Sequence, residues 1–127
     1  MYRVRVEAQF CAAHKIIGHQ DKCSKLHGHN WNVEVIVSND KLNKSGMIID
    51  FDELKEWTKK VIEPLDHQNL NELKPFSNSS PTAEAIAQYL YLELQKLLSQ
   101  VKLEEVKVWE TPTCWASYSR QDFYGGE

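Results

Sequence analysis

The sequence predicts an α+β fold: an antiparallel sheet with helices on one face. Three observations predict it. Stretches with period-two alternation lie near both ends of the chain, two stretches with helical spacing lie between them, and strand and helix patterns never alternate in the way a parallel sheet requires.

In order along the chain, Val4, Val6, Ala8 and Phe10 alternate with Arg3, Arg5, Glu7 and Gln9, as in a strand with one buried face. The segment "HNWNVEVIVS" places Trp31, Val33, Val35 and Val37 on one side and Asn32, Glu34, Ile36 and Ser38 on the other, and "NDKLNKSG" follows as a polar turn. Next, "GMIIDFDEL" reads as a short extended run entering a helix, with Asp50, Asp52 and Glu53 where carboxylates favour the helix dipole. Phe51, Leu54, Trp57, Val61 and Ile62 form its apolar stripe.

A second helix is expected at Ser80-Pro81, because serine can cap orphan amides and proline suits the first helical position. Ala83, Ile86, Ala87, Leu90, Leu94, Leu97 and Leu98 line its buried face. The stretch "LEEVKVWETPTCWASYSR" then supplies two short β-rich runs broken at Thr111-Pro112. Neither an internal repeat nor a low-complexity segment interrupts this order.

At 127 residues the chain is expected to form a single domain, 1–127. Such a length buries roughly two-thirds of the unfolded surface, so a metal is not needed merely for stability. The formal charge of -3 offers no basic surplus for a polyanion, which argues against nucleic acid as a partner. No apolar run approaches the ~20 residues of a membrane span, and "MYRVRVEAQF" lacks the apolar core of a signal peptide. Three cysteines at irregular spacing, Cys11, Cys23 and Cys114, suggest reduced thiols and a cytoplasmic location, with no membrane partner.

The chemistry concentrates in "DKCSKLHGHNW". His27 and His29, two apart at the start of a strand, project from one face about 6.8 Å apart along the backbone. Two imidazoles can converge there on zinc, and Gly28 between them allows close approach. His14, ending the first strand in "FCAAH", supplies a third nitrogen if the two strands are antiparallel neighbours. Three protein ligands leave an open, catalytic position; with Cys23 as a fourth, the site would instead be closed and structural. A third possibility makes Cys23 a nucleophile or base, its thiol acidified by a nearby metal or imidazolium. His19 reads as a solvated histidine. Outside this group lies His67, with Asp66 before it in "PLDHQNLN", either a polar turn or a partner for the cysteine. Glu110, in "VWETPTCW", is either a solvated strand end or a carboxylate that grips a guanidine-like edge through two hydrogen bonds. Thr82 could add a contact or simply sit in the first helical turn.

Taken together, "FCAAH", "CSKLHGHNW", "LDHQNLN", "SSPTAE" and "WETPT" resemble, in order, the motifs of the 6-pyruvoyl-tetrahydropterin synthase family, from His14 to Thr113. The resemblance implies a zinc ion on His14, His27 and His29. It implies a catalytic triad of Cys23, Asp66 and His67, and a pterin anchor of Glu110 with Thr82. It also implies the T-fold: a four-stranded antiparallel sheet with two helices on one face, assembled as a homo-oligomer, a hexamer, whose strands close a barrel. Active sites would lie between subunits. Cys11, where a serine or aspartate is more familiar, would place a second thiol near the zinc.

Three residues separate Cys23 from His27, a spacing similar to the bacterial 6-carboxytetrahydropterin synthases of the queuosine pathway; the pyruvoyl-forming synthases typically carry a longer insert. The substrate implied is 7,8-dihydroneopterin triphosphate, and the products 6-carboxy-5,6,7,8-tetrahydropterin, acetaldehyde and triphosphate, with no redox cofactor. A pyruvoyl-forming triphosphate lyase and a non-enzymatic zinc-stabilised binding module are the rival readings. Lys22 and Lys25 flank the cysteine, within reach of a triphosphate or merely solvated.

Overall fold

The computed structural model describes residues 1–18 and 24–120. Two long strands form its spine. β1 (Tyr2–His14) and β2 (His27–Asn39) pair antiparallel along their whole length, from Tyr2 opposite Asn39 to His14 opposite His27. β4 (Lys102–Thr111) joins the other edge of β2, with a register shift between Ile36 and Val37, and β5 (Cys114–Tyr118) returns along β4. The turn between them falls at the expected Thr111-Pro112.

The sheet corrects one expectation. Among the described residues it has five strands, not four, and is mixed rather than antiparallel: its order is β3-β1-β2-β4-β5, and β3 (Gln68–Asn69) runs parallel to β1 beside Ala12 and Ala13. The cause is a clip on the open edge of β1. The Cys11 N–H donates to Asp66 Oδ1 at 2.9 Å, and the His67 N–H donates to the Cys11 carbonyl at 2.6 Å. The next two residues are thereby laid along the strand. A two-residue strand of Gln and Asn has no apolar alternation to betray it.

Alternation decides which face is buried. Val6, Phe10, Ala12 and His14 of β1 share a face with Trp31, Val33, Val35 and Val37 of β2 and with Val106 and Val108 of β4, all buried. Each fully buried aliphatic or aromatic side chain here contributes roughly 1.5 to 3 kcal/mol. Against this face pack α1 (Phe51–Ile62), through Leu54, Val61 and Ile62, and α2 (Ala83–Leu97), through Ile86, Ala87, Leu90 and Leu94. No helix among the described residues is long and apolar enough to cross a membrane.

Both helix starts refine the sequence reading. Asp50 caps α1 by accepting the Asp52 N–H at 2.7 Å. Ile48 and Ile49 before it form a buried bend, not an extended run, while Phe51, assigned to the apolar stripe, is 57% exposed. Its place in the stripe is taken by Thr58, whose hydroxyl is satisfied by the Leu54 carbonyl at 2.8 Å. In α2 the cap is Thr82, which accepts the Ala85 N–H at 3.1 Å, and the helix begins at Ala83. Ser80, the expected cap, instead accepts the Ile17 N–H at 2.7 Å and pins the chain leaving β1.

Candidate metal centre

Three imidazoles meet where β1 ends and β2 begins. His14 and His27 are opposite one another across the β1–β2 ladder, and His29 lies one pleat further along the same face. The ring centroids are 4.7 Å apart for His14 and His27, 5.3 Å for His14 and His29, and 4.8 Å for His27 and His29. Trp31 backs the group, edge-on to His14 and His29 at 4.9 and 5.2 Å, with its indole N–H on the Ala12 carbonyl at 3.2 Å.

Partners on the far side of two rings fix which nitrogen is offered. His14 Nδ1 is 2.8 Å from the Pro81 carbonyl, and His27 Nδ1 is 2.8 Å from the Lys25 carbonyl. A carbonyl only accepts, so each Nδ1 carries a proton and it is Nε2 that each ring turns to the centre, the arrangement in which imidazoles ligate metals. Desolvation holds His29 below the ordinary imidazole value; the Glu110 charge opposes this, and the neighbouring His14 and His27 reinforce it. A neutral ring is the ligating form.

Glu110 completes the cluster. Its Oε2 lies 2.9 Å from His29 Nε2 and 3.4 Å from His14 Nε2, and the donor atoms of His14, His27, His29 and Glu110 all fall within 4.8 Å of one another. The donor set, three imidazoles and a carboxylate, is one that could hold a metal ion. His14 Nε2 and His29 Nε2 are buried without a hydrogen-bond partner among the described residues, as a group awaiting a cation would be. Parity along β4 puts Glu110 on the face of Val106 and Val108, but it is the pairing of β4 with β2 that carries it to the histidines. Preceding it, the Trp109 indole N–H donates to Glu34 Oε2, whose other oxygen accepts from Arg5 at 2.9 Å. That lock fixes the end of β4.

The remaining expected residues divide. Asp66 and His67 are held at the edge of β1, with His67 Nε2 3.6 Å from Asp66 Oδ2 and its side chain 78% exposed. A shallow cavity of about 550 Å³ has His67, Cys11, Asn30 and His29 on its wall. A second, of about 800 Å³, runs from His29 and Glu110 past Trp109, Thr111 and Asn32. Thr82 spends its hydroxyl on the helix cap. Cys11 is not part of the metal group: one residue out of phase with Ala12, it faces the opposite side of β1, with its thiol 2.9 Å from Asn30 Oδ1. Cys23, His19 and Lys22 lie outside the described residues.

His67 has φ of +60°, a left-handed conformation that non-glycine residues adopt at a cost of roughly 1 kcal/mol. His67→Gly should therefore be more stable than His67→Ala by about 1 kcal/mol. Chemical denaturation checks this; equal stabilities would mean that the left-handed turn relaxes once the imidazole is gone.

Comparison with known proteins gives the family. Residues 3–121 match the family described as 6-pyruvoyl tetrahydropterin synthase. The chain belongs to that family. Among its relatives in sequence is a Haemophilus influenzae protein named 6-carboxy-5,6,7,8-tetrahydropterin synthase, 36% identical over 93% of this chain and 99% of its own. A Synechocystis protein of the same name is also 36% identical, over 93% of both chains. Among solved structures, the 6-pyruvoyl tetrahydropterin synthase of Caenorhabditis elegans superposes with a TM-score of 0.84 at 26% identity, covering 94% of this chain and 96% of that one. In this family member the match spans all four donors of the metal centre, from His14 to Glu110.

Proposed function

We propose that this chain is a zinc-dependent lyase that converts 7,8-dihydroneopterin triphosphate and one water to 6-carboxy-5,6,7,8-tetrahydropterin, acetaldehyde and triphosphate, in the route to queuosine. The observation that carries the reading is the buried set of converging, unpartnered imidazole nitrogens in a chain whose relatives bear that synthase name. His14, His27 and His29 would hold the ion. A zinc ion there supplies Lewis acidity towards side-chain hydroxyls.

The protein's own groups do the rest. Glu110 accepts hydrogen bonds from the amino and ring N–H edge of the pterin, which fits the cavity of about 800 Å³ that it lines. Thr82, through its place at the start of α2, adds a backbone or hydroxyl contact. The Cys23 thiolate moves protons on the side-chain carbons, and His67 shuttles them, oriented by the Asp66 carboxylate at 3.6 Å. Lys25, exposed beside the site, is suited to the triphosphate. Electrons leaving the side chain enter the dihydropterin ring, so no external oxidant is required. The functional unit is a single domain assembled as a hexameric barrel in the cytoplasm.

Incubating the purified, zinc-loaded protein with dihydroneopterin triphosphate tests the reading. Stoichiometric acetaldehyde and 6-carboxytetrahydropterin are expected. Release of triphosphate with retention of all three side-chain carbons would mark a pyruvoyl-forming synthase instead, and no turnover would overturn the enzyme assignment.

A further inference from the structure

The fourth donor stands closer to the histidines than a distant pterin anchor would need to. Donor atoms about 2.0 Å from a tetrahedral zinc lie roughly 3.3 Å from one another. The Glu110 Oε2 separations of 2.9 Å from His29 Nε2 and 3.4 Å from His14 Nε2 are those of neighbouring corners of one coordination shell. A single ion pair between Glu110 and His29 does not account for the second contact, to His14. Although His29 Nε2 is 2.9 Å from the carboxylate oxygen, it has no aligned hydrogen bond, and fully buried His14 Nε2 has none either. The clearest case is His14: its Nδ1 already donates to Pro81, so Nε2 faces the Glu110 oxygen at 3.4 Å with no partner of its own among the described residues, a placement that a shared cation would satisfy.

The four donors differ in what else holds them. His14 is tied through Nδ1 to Pro81 and His27 through Nδ1 to Lys25. Glu110 has no second anchor among the described residues, its side chain is 32% exposed, and it borders the cavity of about 800 Å³ into which it can turn. Its backbone stays put, because Trp109 is locked to Glu34.

We propose that Glu110 is an exchangeable fourth ligand: its carboxylate closes the coordination shell while the cavity is empty and yields that position to a side-chain hydroxyl of the incoming pterin. The carboxylate then becomes free to receive the pterin edge, so anchoring and opening of the shell are one event. The inference rests on the metal reading of the site and not on which products are formed.

Cobalt(II) replaces the native ion as a spectroscopic probe, and neopterin, which carries the side-chain hydroxyls but no triphosphate, serves as the ligand. The wild-type cobalt protein should show the intense visible bands of four-coordinate cobalt, and these should shift when neopterin saturates the site as judged by pterin fluorescence. Glu110→Gln should bind cobalt at least about tenfold more weakly, with an altered spectrum. Identical cobalt affinity and spectra in the two proteins would overturn the proposal. Should the variant not fold by circular dichroism, the wild-type arm decides alone: an unshifted spectrum at neopterin saturation overturns it. A wild-type protein that binds neither cobalt nor zinc overturns the metal reading together with the proposal, an outcome distinct from either of the others.

Discussion

His14→Ala should both empty the metal site and destabilise the metal-free protein by about 2 to 4 kcal/mol. The ring is completely buried, packs edge-on against Trp31 at 4.9 Å and hydrogen-bonds to Pro81 at 2.8 Å. Truncation leaves a cavity and an orphaned carbonyl at the start of α2. His27→Ala provides the contrast: its ring is more exposed and its other nitrogen bonds only the local Lys25 carbonyl, so metal should be lost with little change in the stability of the stripped protein. Chelated samples unfolded in urea, with metal content measured in parallel, separate the two effects. With zinc at a hundred times its dissociation constant, the parent should gain about 2.7 kcal/mol and His14→Ala should gain nothing. A His14→Ala protein as stable as its metal-free parent would mean that the site is held together by the ion and not by the fold.

Mixing Cys23→Ala protein with His67→Ala protein, after dissociation and reassembly, should restore activity that neither has alone. The Asp66–His67 pair sits on the outer edge of β1, with His67 78% exposed, where a second copy can meet it. If Cys23 of one subunit works with His67 of its neighbour, random assembly at equal amounts leaves about a quarter of the interfaces with both residues intact. Protein carrying both substitutions, mixed equally with wild type, should recover the same quarter. Were the triad contained in one chain, the singly substituted mixture would stay inactive and the control would recover about half. Native mass spectrometry of the mixtures establishes that the chains have exchanged, so an inactive mixture of exchanged rings defeats the shared-site reading.

Much of the fold was legible because burial of one face writes itself directly into strands and helices. Alternation in residues 3–10 and 31–38 identified β1 and β2 and the sides they bury, and helical spacing identified α1 and α2. Parity extended along those strands is enough to put His14, His27 and His29 on a common face, since side chains two apart share one. What parity cannot supply is register. Only the pairing of His14 with His27 brings the imidazoles within 5.3 Å, and only the β2–β4 ladder brings Glu110 to them. Both depend on contacts far apart in sequence.

Capping is one place where the sequence reading, which takes Ser80 as the cap and Thr82 as a contact or first-turn residue, needs the structure to correct it. Ser80 and Thr82 are both good caps, and tertiary structure assigned the helix to Thr82 and the outgoing chain to Ser80 because Ile17 needed an acceptor. Asp66 and His67 read from their residues as either a polar turn or a partner for the cysteine, and nothing in "PLDHQNLN" shows that the free edge of β1 lies beside them. The sequence by itself determined the α+β class, the buried faces and the residue types able to ligate a metal, because these follow from periodicity and side-chain chemistry along the chain. Tertiary structure alone decided the fifth strand, the left-handed His67 and the entry of Glu110 into the metal centre, because each arises when a backbone edge or a buried lone pair must be satisfied by a distant partner.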